Sequence, residues 1–408
     1  MARKMKDSGI EWIGEIPEGW KTQKLKYYAT VTSGEILSRD EYDFSGDIPV
    51  IGSNGKIGTT YKSNNHSEVI TTGRVGTIGT AQIVQDAWIT DNALIIKSHS
   101  INRPFLTYVI PNFDFKFMLS GTAQPLITAT KLKNQYIPVP SSEVQDKLVQ
   151  YLNTQIFNLS HLISQACSSI ELYKKLKQAV ITQAVTKGVH GEREMKDSGV
   201  EWIGKIPREF DPVQLKFFCK LITDGTHFSP TTVENGWPYI TAGDVHGIGL
   251  DYNSAKRISE ENFQLLVAQG CQPLKGDVLL VKDGATTGRV GFVDSDTPCV
   301  ILSSVAMLRP ADNTDGHYLM YLLASDFLQK QILVSMAGSA MPRTTLTKLT
   351  KYIGLLPPLH EQKEIANYLD AKCAEIDGLV AKKEQLVKEL ESYKKSLIYE
   401  VVTGKREV

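Results

Sequence analysis

The sequence predicts an α+β chain built as two related halves, each a β-rich globular domain followed by a long helix. Three observations carry this. The phrase MKDSGIEWIGEIPEGW at 5–20 returns as MKDSGVEWIGKIPREF at 195–210, with 11 of 16 residues identical. Runs such as VITTG, AQIV, DVLLVKD and CVILSSVAMLRP are rich in Val, Ile and Thr and are punctuated by Gly, Asn and Asp, as short strands are. Two stretches then space their apolar residues in alternating steps of three and four, the rhythm of a coiled-coil seam.

The repeat period of 190 residues is too long for a solenoid and matches a domain plus a connector. LKYYA at 25–29 answers LKFFC at 215–219, and IPVI at 48–51 answers WPYI at 237–240. VITTGRVGTIGTAQIV (69–84) resembles VLLVKDGATTGRVGFV (278–293), which pairs Arg74 with Lys282, Gly76 with Gly284 and Gly79 with Gly288. In the opening phrase Trp12, Ile13 and Ile16, like Trp202, Ile203 and Ile206, read as an apolar clip that packs onto a domain. Helices are expected to be few in the globular parts, with one core-packed candidate at 317–333, HYLMYLLASDFLQKQIL.

The first long helix is expected from about 143 to 185, with a seam of Ile156, Leu159, Ile163, Ala166, Ile170, Tyr173, Lys177, Val180 and Ala184. The second runs from about 359 to 402, with Leu369, Cys373, Ile376, Val380, Lys383, Val387, Leu390, Lys394, Leu397 and Val401. Each would be roughly 65 Å long, a rod that holds the two β-rich domains apart. The expected boundaries are 1–140, 141–190, 191–357 and 358–408.

At 408 residues and 42% hydrophobic, the chain can bury more than one core. No apolar run approaches the ~18 residues of a membrane span, and MARKMKDSGIEW lacks the apolar stretch of a secretion signal, so a cytoplasmic location without a membrane partner is expected. The five cysteines lie far apart and suggest isolated thiols rather than a zinc site or a disulfide framework. The 45 basic and 45 acidic residues cancel, which argues against coating nucleic acid by bulk charge. There is no GxxxxGK[ST] loop and no Asn-Pro-Pro-aromatic or Asp-Pro-Pro-aromatic motif, so neither a motor ATPase nor an adenine methyltransferase is expected in this chain.

The paired DSGxEWIGxIP phrases, PPLHEQKEIANYLDAK at 357–372, ITDGTHFSP at 222–230 and KYIGLLPP at 351–358 resemble the specificity subunits of type I restriction-modification systems, over essentially the whole chain. SSEVQDK at 141–147 is a weaker match to the start of the second helix. The resemblance implies two target-recognition domains in a pseudo-twofold arrangement, separated by an antiparallel coiled coil. Each domain would read one half of a split sequence in double-stranded DNA, and the helices would set the gap and dock two methyltransferase subunits. It further implies a chain that is not catalytic by itself and holds no cofactor. S-adenosylmethionine would belong to the methyltransferase partner, and ATP and magnesium to restriction/translocase subunits of the full complex.

Residues 21–140 carry 12 Lys and Arg against 9 Asp and Glu, a net of +3 that can be gathered on one face. Glycine-rich turns at 53–58, 72–79 and 282–291 let backbone amides approach phosphates, with Lys56, Lys62, Arg74, Lys282 or Arg289 supplying charge. Base reading needs forked or paired donors, for which Asn54, Arg74, Thr226, His227, Arg289 and Arg343 are candidates. His227 beside Asp224 lacks a second catalytic partner, so a turn stabilised by Asp224 and Thr226 is the plainer reading. A self-contained DNA-cutting or DNA-methylating enzyme would need a metal or S-adenosylmethionine site that no motif supplies, and a coiled-coil scaffold for proteins alone would bind no DNA.

Overall fold

The repeated phrase folds the same way twice. In the computed structural model, which describes residues 3–43, 45–119, 126–200, 203–336 and 342–408, Met5–Asp7 pairs antiparallel with Glu15–Pro17, and Met195–Asp197 pairs with Lys205–Pro207 in the same register. Asp7 and Asp197 each accept a hydrogen bond from the amide two residues on, at 2.9 Å, which closes the hairpin loop. Ile13, Ile16, Ile203 and Ile206 turn inward and are buried, and Trp12 meets Phe113 edge to face at 5.4 Å. Trp202 lies outside the described residues.

Each hairpin covers the C-terminal end of a long helix. Gly404 and Gly188, just past the helices Leu359–Val402 and Ser142–Lys187, have φ of 72° and 75°. That left-handed conformation ends a helix cheaply only without a Cβ. A side chain on Gly404 would strike Pro17 and Trp20, and one on Gly188 would strike Arg193 and Glu361.

The chain divides into two compact units, Met1–Cys167 with Glu384–Val408, and Ser168–Lys383. The division falls inside both long helices, so each unit keeps a segment of each. The first unit holds an antiparallel sheet ordered Ala29–Ser33, Ala93–Ser98, Val69–Gly73, Ala81–Val84. It also holds a smaller sheet in which Ile48–Gly52 pairs antiparallel with Gly55–Thr60 and parallel with Trp88–Ile89. The second unit repeats the first sheet as Cys219–Asp224, Val305–Pro310, Val278–Val281, Val290–Phe292. Its second sheet again contains one parallel pair, Trp237–Ile240 with Val300–Ile301, and gains Thr232–Val233 and Lys256–Ile258.

The cores join sheet to helix. In the first unit Ile70, Leu94 and Ile96 pack with Phe105, Leu152, Leu397 and Val401. In the second, Leu280, Leu308, Tyr318 and Leu322 pack with Ile365 and Leu369. Full burial of each such side chain contributes about 1.5–3 kcal/mol, so these clusters hold the helices to the sheets. The stretch expected as one helix at 317–333 is two, Gly316–Ala324 and Asp326–Ser335. They break at Ser325, which is fully buried in an extended conformation with its hydroxyl donating to Leu322 O at 2.6 Å. Helix Glu260–Ala268, capped by Ser259, adds to the few helices expected in the globular parts.

Both long helices begin with the same device despite their unlike sequences. Gln362 is fully buried and donates to Pro357 O and Asn313 O at 2.9 Å while accepting from Asp315 N at 2.8 Å. Gln145 is also buried, donates to Pro140 O at 2.9 Å and accepts from Asn102 N at 2.8 Å. Asn102 and Asp315 in turn cap the helices Arg103–Val109 and Gly316–Ala324. The weak sequence match at 141–147 therefore conceals a full structural one.

Candidate nucleic-acid interface

The glycine-rich turns sit between the third and fourth strands of the larger sheets. In the first unit the turn 74–80 joins Val69–Gly73 to Ala81–Val84, and in the second the turn 282–289 joins Val278–Val281 to Val290–Phe292. Gly76 and Gly79 (φ 72° and 86°) answer Gly284 and Gly288 (98° and 96°), all in the region that favours glycine.

The same backbone frame supports both turns. Arg74 N donates to Asn92 O, Ile127 N donates to Arg74 O, and Val75 bridges to Leu126. Correspondingly, Thr344 N donates to Lys282 O at 2.9 Å and Asp283 bridges to Arg343. Position 74 thus matches 282, 75 matches 283 and 126 matches 343.

The side chains on this frame differ. Arg74 is half-buried, with Nη1 3.4 Å from Asp91 O and Nε buried without a hydrogen-bond partner among the described residues. Lys282 is only 3% exposed, and its ammonium lies 2.8 Å from Asp283 Oδ2 and 3.3 Å from Asp224 Oδ2. The expectation that Lys282 faces phosphate is corrected here: its charge is spent on two carboxylates inside the fold, because an unpaired buried ammonium would be too costly.

Lys282 also draws other candidates together. His227, exposed, brings Nε2 to 3.6 Å from Asp224 Oδ1, and Arg343, 60% exposed, brings Nε to 2.9 Å from Asp283 Oδ1. Thr226 is buried and serves the turn, its hydroxyl accepting from Phe228 N at 3.2 Å. It is thus withdrawn from base reading. The acids Asp224 and Asp283 organise this cluster, and sequence reasoning misses them as site residues. The signal is the Lys-Asp pair opening the turn in the second half, where the first half has Arg-Val.

In the first unit Asn54 and Lys56 are exposed on the hairpin 48–60, whose tip meets the Arg74 turn where Thr80 Oγ1 donates to Ser53 O at 3.2 Å. Lys62 is exposed but paired with Glu41, whose hydrogen bond raises the lysine pKa and lowers that of the carboxyl. Its charge is therefore partly answered within the protein. Arg289 is exposed and lines a cleft of about 500 Å³ with Lys174, Lys177, Asp326 and Asp377.

On the long helices Leu159, Ile170, Leu369, Ile376 and Leu397 are buried, and Ile156, Ile163, Tyr173, Val180, Val380, Val387 and Leu390 are half-buried. In the second unit the helix segments run antiparallel, since Lys177 meets Asp377 at 2.6 Å and, just past the end of the first helix at Lys187, His190 meets Glu364 at 2.7 Å. Lys394, half-buried, donates to Ser160 Oγ at 3.0 Å. Among the described residues no cluster of His, Cys, Asp and Glu could hold a metal ion, and no helix is long and apolar enough to cross a membrane.

Comparison with known proteins finds one family domain matched twice along the chain. Residues 17–171 and 207–389 match the type I restriction modification DNA specificity domain. The chain is 26% identical over 328 residues to the type I restriction enzyme MjaVIII specificity subunit of Methanocaldococcus jannaschii, covering 78% of this chain and 71% of that one. It is 25% identical to the putative MjaX specificity subunit of the same organism, covering 96% and 95%. In fold it is similar to a chain solved in work on complex assembly and conformational transition of the type I R-M system, with a TM-score of 0.71, 17% identity and coverage of 96% and 99%. The HsdS subunit from Thermoanaerobacter tengcongensis gives 0.50, at 19% identity over 96% and 98%. The chain belongs to the family of type I restriction-modification specificity subunits and serves DNA recognition.

Proposed function

We propose that the chain recognises a bipartite DNA sequence, each unit reading one block through its glycine-rich turn and neighbouring loops, while the paired long helices set the gap and dock two methyltransferase subunits. The observation that carries this reading is the repeated frame with unlike side chains. A repeated scaffold offers two equivalent approaches to the duplex, and Arg74-Val75-Leu126 against Lys282-Asp283-Arg343 gives each approach its own chemistry. Different base pairs present different donor and acceptor patterns in the major groove, so two unlike half-sites require unlike readers.

The chain itself is proposed to be non-catalytic. Methyl transfer from S-adenosylmethionine falls to the methyltransferase partners, and ATP- and magnesium-dependent cleavage to restriction subunits. The buried seam positions make each helix stiff, which suits a spacer between two reading heads.

Selection of bound duplexes from a random pool, using the chain together with its methyltransferase partner, tests this. Two short sequence blocks at a fixed separation are expected. A single continuous block, or no enrichment, would count against the proposal.

A further inference from the structure

We infer that Arg343 reads a guanine in the half-site of the second unit, and that Asp283, backed by buried Lys282, is the residue that positions it. The inference rests on the proposed reading of DNA by that unit.

Arg343 reaches solvent with 60% of its side chain exposed, yet its guanidinium is tethered at one edge by an ion pair rather than a hydrogen bond, Nε lying 2.9 Å from Asp283 Oδ1, a buried oxygen that accepts no hydrogen bond among the described residues. Neither Nη1 nor Nη2 has a hydrogen-bond partner among the described residues. The pair of parallel N–H groups that fits guanine O6 and N7 is therefore unengaged. The tether is itself fixed. Asp283 Oδ2 accepts from Lys282 Nζ at 2.8 Å, and Lys282 is 3% exposed, so the carboxylate has a buried anchor. The backbone around Arg343 is pinned as well: Gly284 N donates to Pro342 O at 3.0 Å, and Thr344, fully buried, lies 2.6 Å from Tyr352 Oη. An arginine held this way loses less rotamer freedom when it meets a base.

Charge distinguishes a base contact from a phosphate contact. Lys282 and Arg343 are balanced by Asp224 and Asp283, so the cluster is neutral and a phosphate beside Asp283 would be repelled. A guanine edge carries no net charge and meets no such penalty. The first unit has Val75 and Leu126 at the matching places, so this preference belongs to one half-site alone.

The test is the selected-sequence profile of the parent chain, Arg343→Lys and Asp283→Asn, each with the methyltransferase partner, together with the salt dependence of binding. Arg343→Lys keeps the charge and loses the fork. It should reduce discrimination at one G·C position by about 5- to 150-fold, leaving other positions and the salt slope unchanged. Asp283→Asn should weaken the same position by a smaller factor. A uniform loss of affinity with a flatter salt slope would make Arg343 a phosphate contact and overturn the inference, as would an unchanged profile. Should Asp283→Asn fail to fold, the exposed Arg343→Lys change decides alone. A parent chain that selects no sequence would sink the proposed function too, whereas a selective parent with an unaffected Arg343→Lys profile sinks only this inference.

Discussion

The turn 74–80 and the turn 282–289 share backbone hydrogen bonds, matching left-handed glycines and place in the sheet, yet they solve the problem of a basic residue in opposite ways. Arg74 stands half-buried without an acidic side chain as partner among the described residues, while Lys282 is drawn inside between Asp224 and Asp283. The helix starts show the contrary pattern, with Gln145 and Gln362 doing the same work in unlike sequence surroundings. The difference teaches where the repeat tolerates change. Groups that close the backbone frame are kept, and groups on the turn surface are free to diverge.

The largest expected effect separates Lys282 from Arg74. Lys282→Ala would leave two partly buried carboxylates facing each other and should destabilise the second unit by about 2–4 kcal/mol. Arg74→Ala removes no ion pair among the described residues and should cost under about 1 kcal/mol, while weakening DNA binding. Thermal unfolding and binding measured on both variants check this. Equal losses of stability would erase the contrast between the turns.

A slightly smaller loss is expected at the helix starts. Gln362→Ala strands Pro357 O, Asn313 O and Asp315 N and should destabilise the second unit by about 2–3 kcal/mol, and Gln145→Ala should act likewise on the first unit. Denaturant titration followed by proteolysis should show each unit opening in its own variant. An effect confined to Gln362→Ala would mean that the two helix starts are not equivalent.

The smallest effect is electrostatic and pH-dependent. Glu209 is held below the usual carboxylate range, chiefly by its hydrogen bond from Arg193, which also binds Glu361 at the start of the second long helix. A lowered folded pKa contributes stability above the unfolded value and loses it as pH falls through the folded one. Glu209→Gln should therefore melt slightly below the parent at neutral pH, with the gap closing in acid. The repeat places Gly19 opposite Glu209, in EGW against REF, so the first unit has no carboxylate there to contribute the same pH dependence. A gap that stays constant from neutral pH into acid would show that the Glu209 charge is not what stabilises the second unit.

Much of this organisation is legible in the sequence. The helix limits of about 143–185 and 359–402 compare with Ser142–Lys187 and Leu359–Val402, because a sustained seam is a local signal. The glycine pairs 76 with 284 and 79 with 288 prove equivalent in φ, since backbone geometry constrains glycine directly. Lys282 misleads because only half of its environment is local: the neighbouring Asp283 is visible in the sequence, whereas Asp224, which completes the buried pairing, lies in another strand. Lys62 is blurred in the same way by Glu41, and the break at Ser325 is hidden by apolar residues on both sides.

The central claim is that the two units read DNA independently on a common scaffold. Replacing residues 21–140 by the matching segment of a related specificity subunit, and sequencing methylated bases in cells that supply the methyltransferase partner, tests it most directly. The account predicts a new first block, an unchanged second block and the original gap between them. A change in both blocks, or in neither, would contradict it.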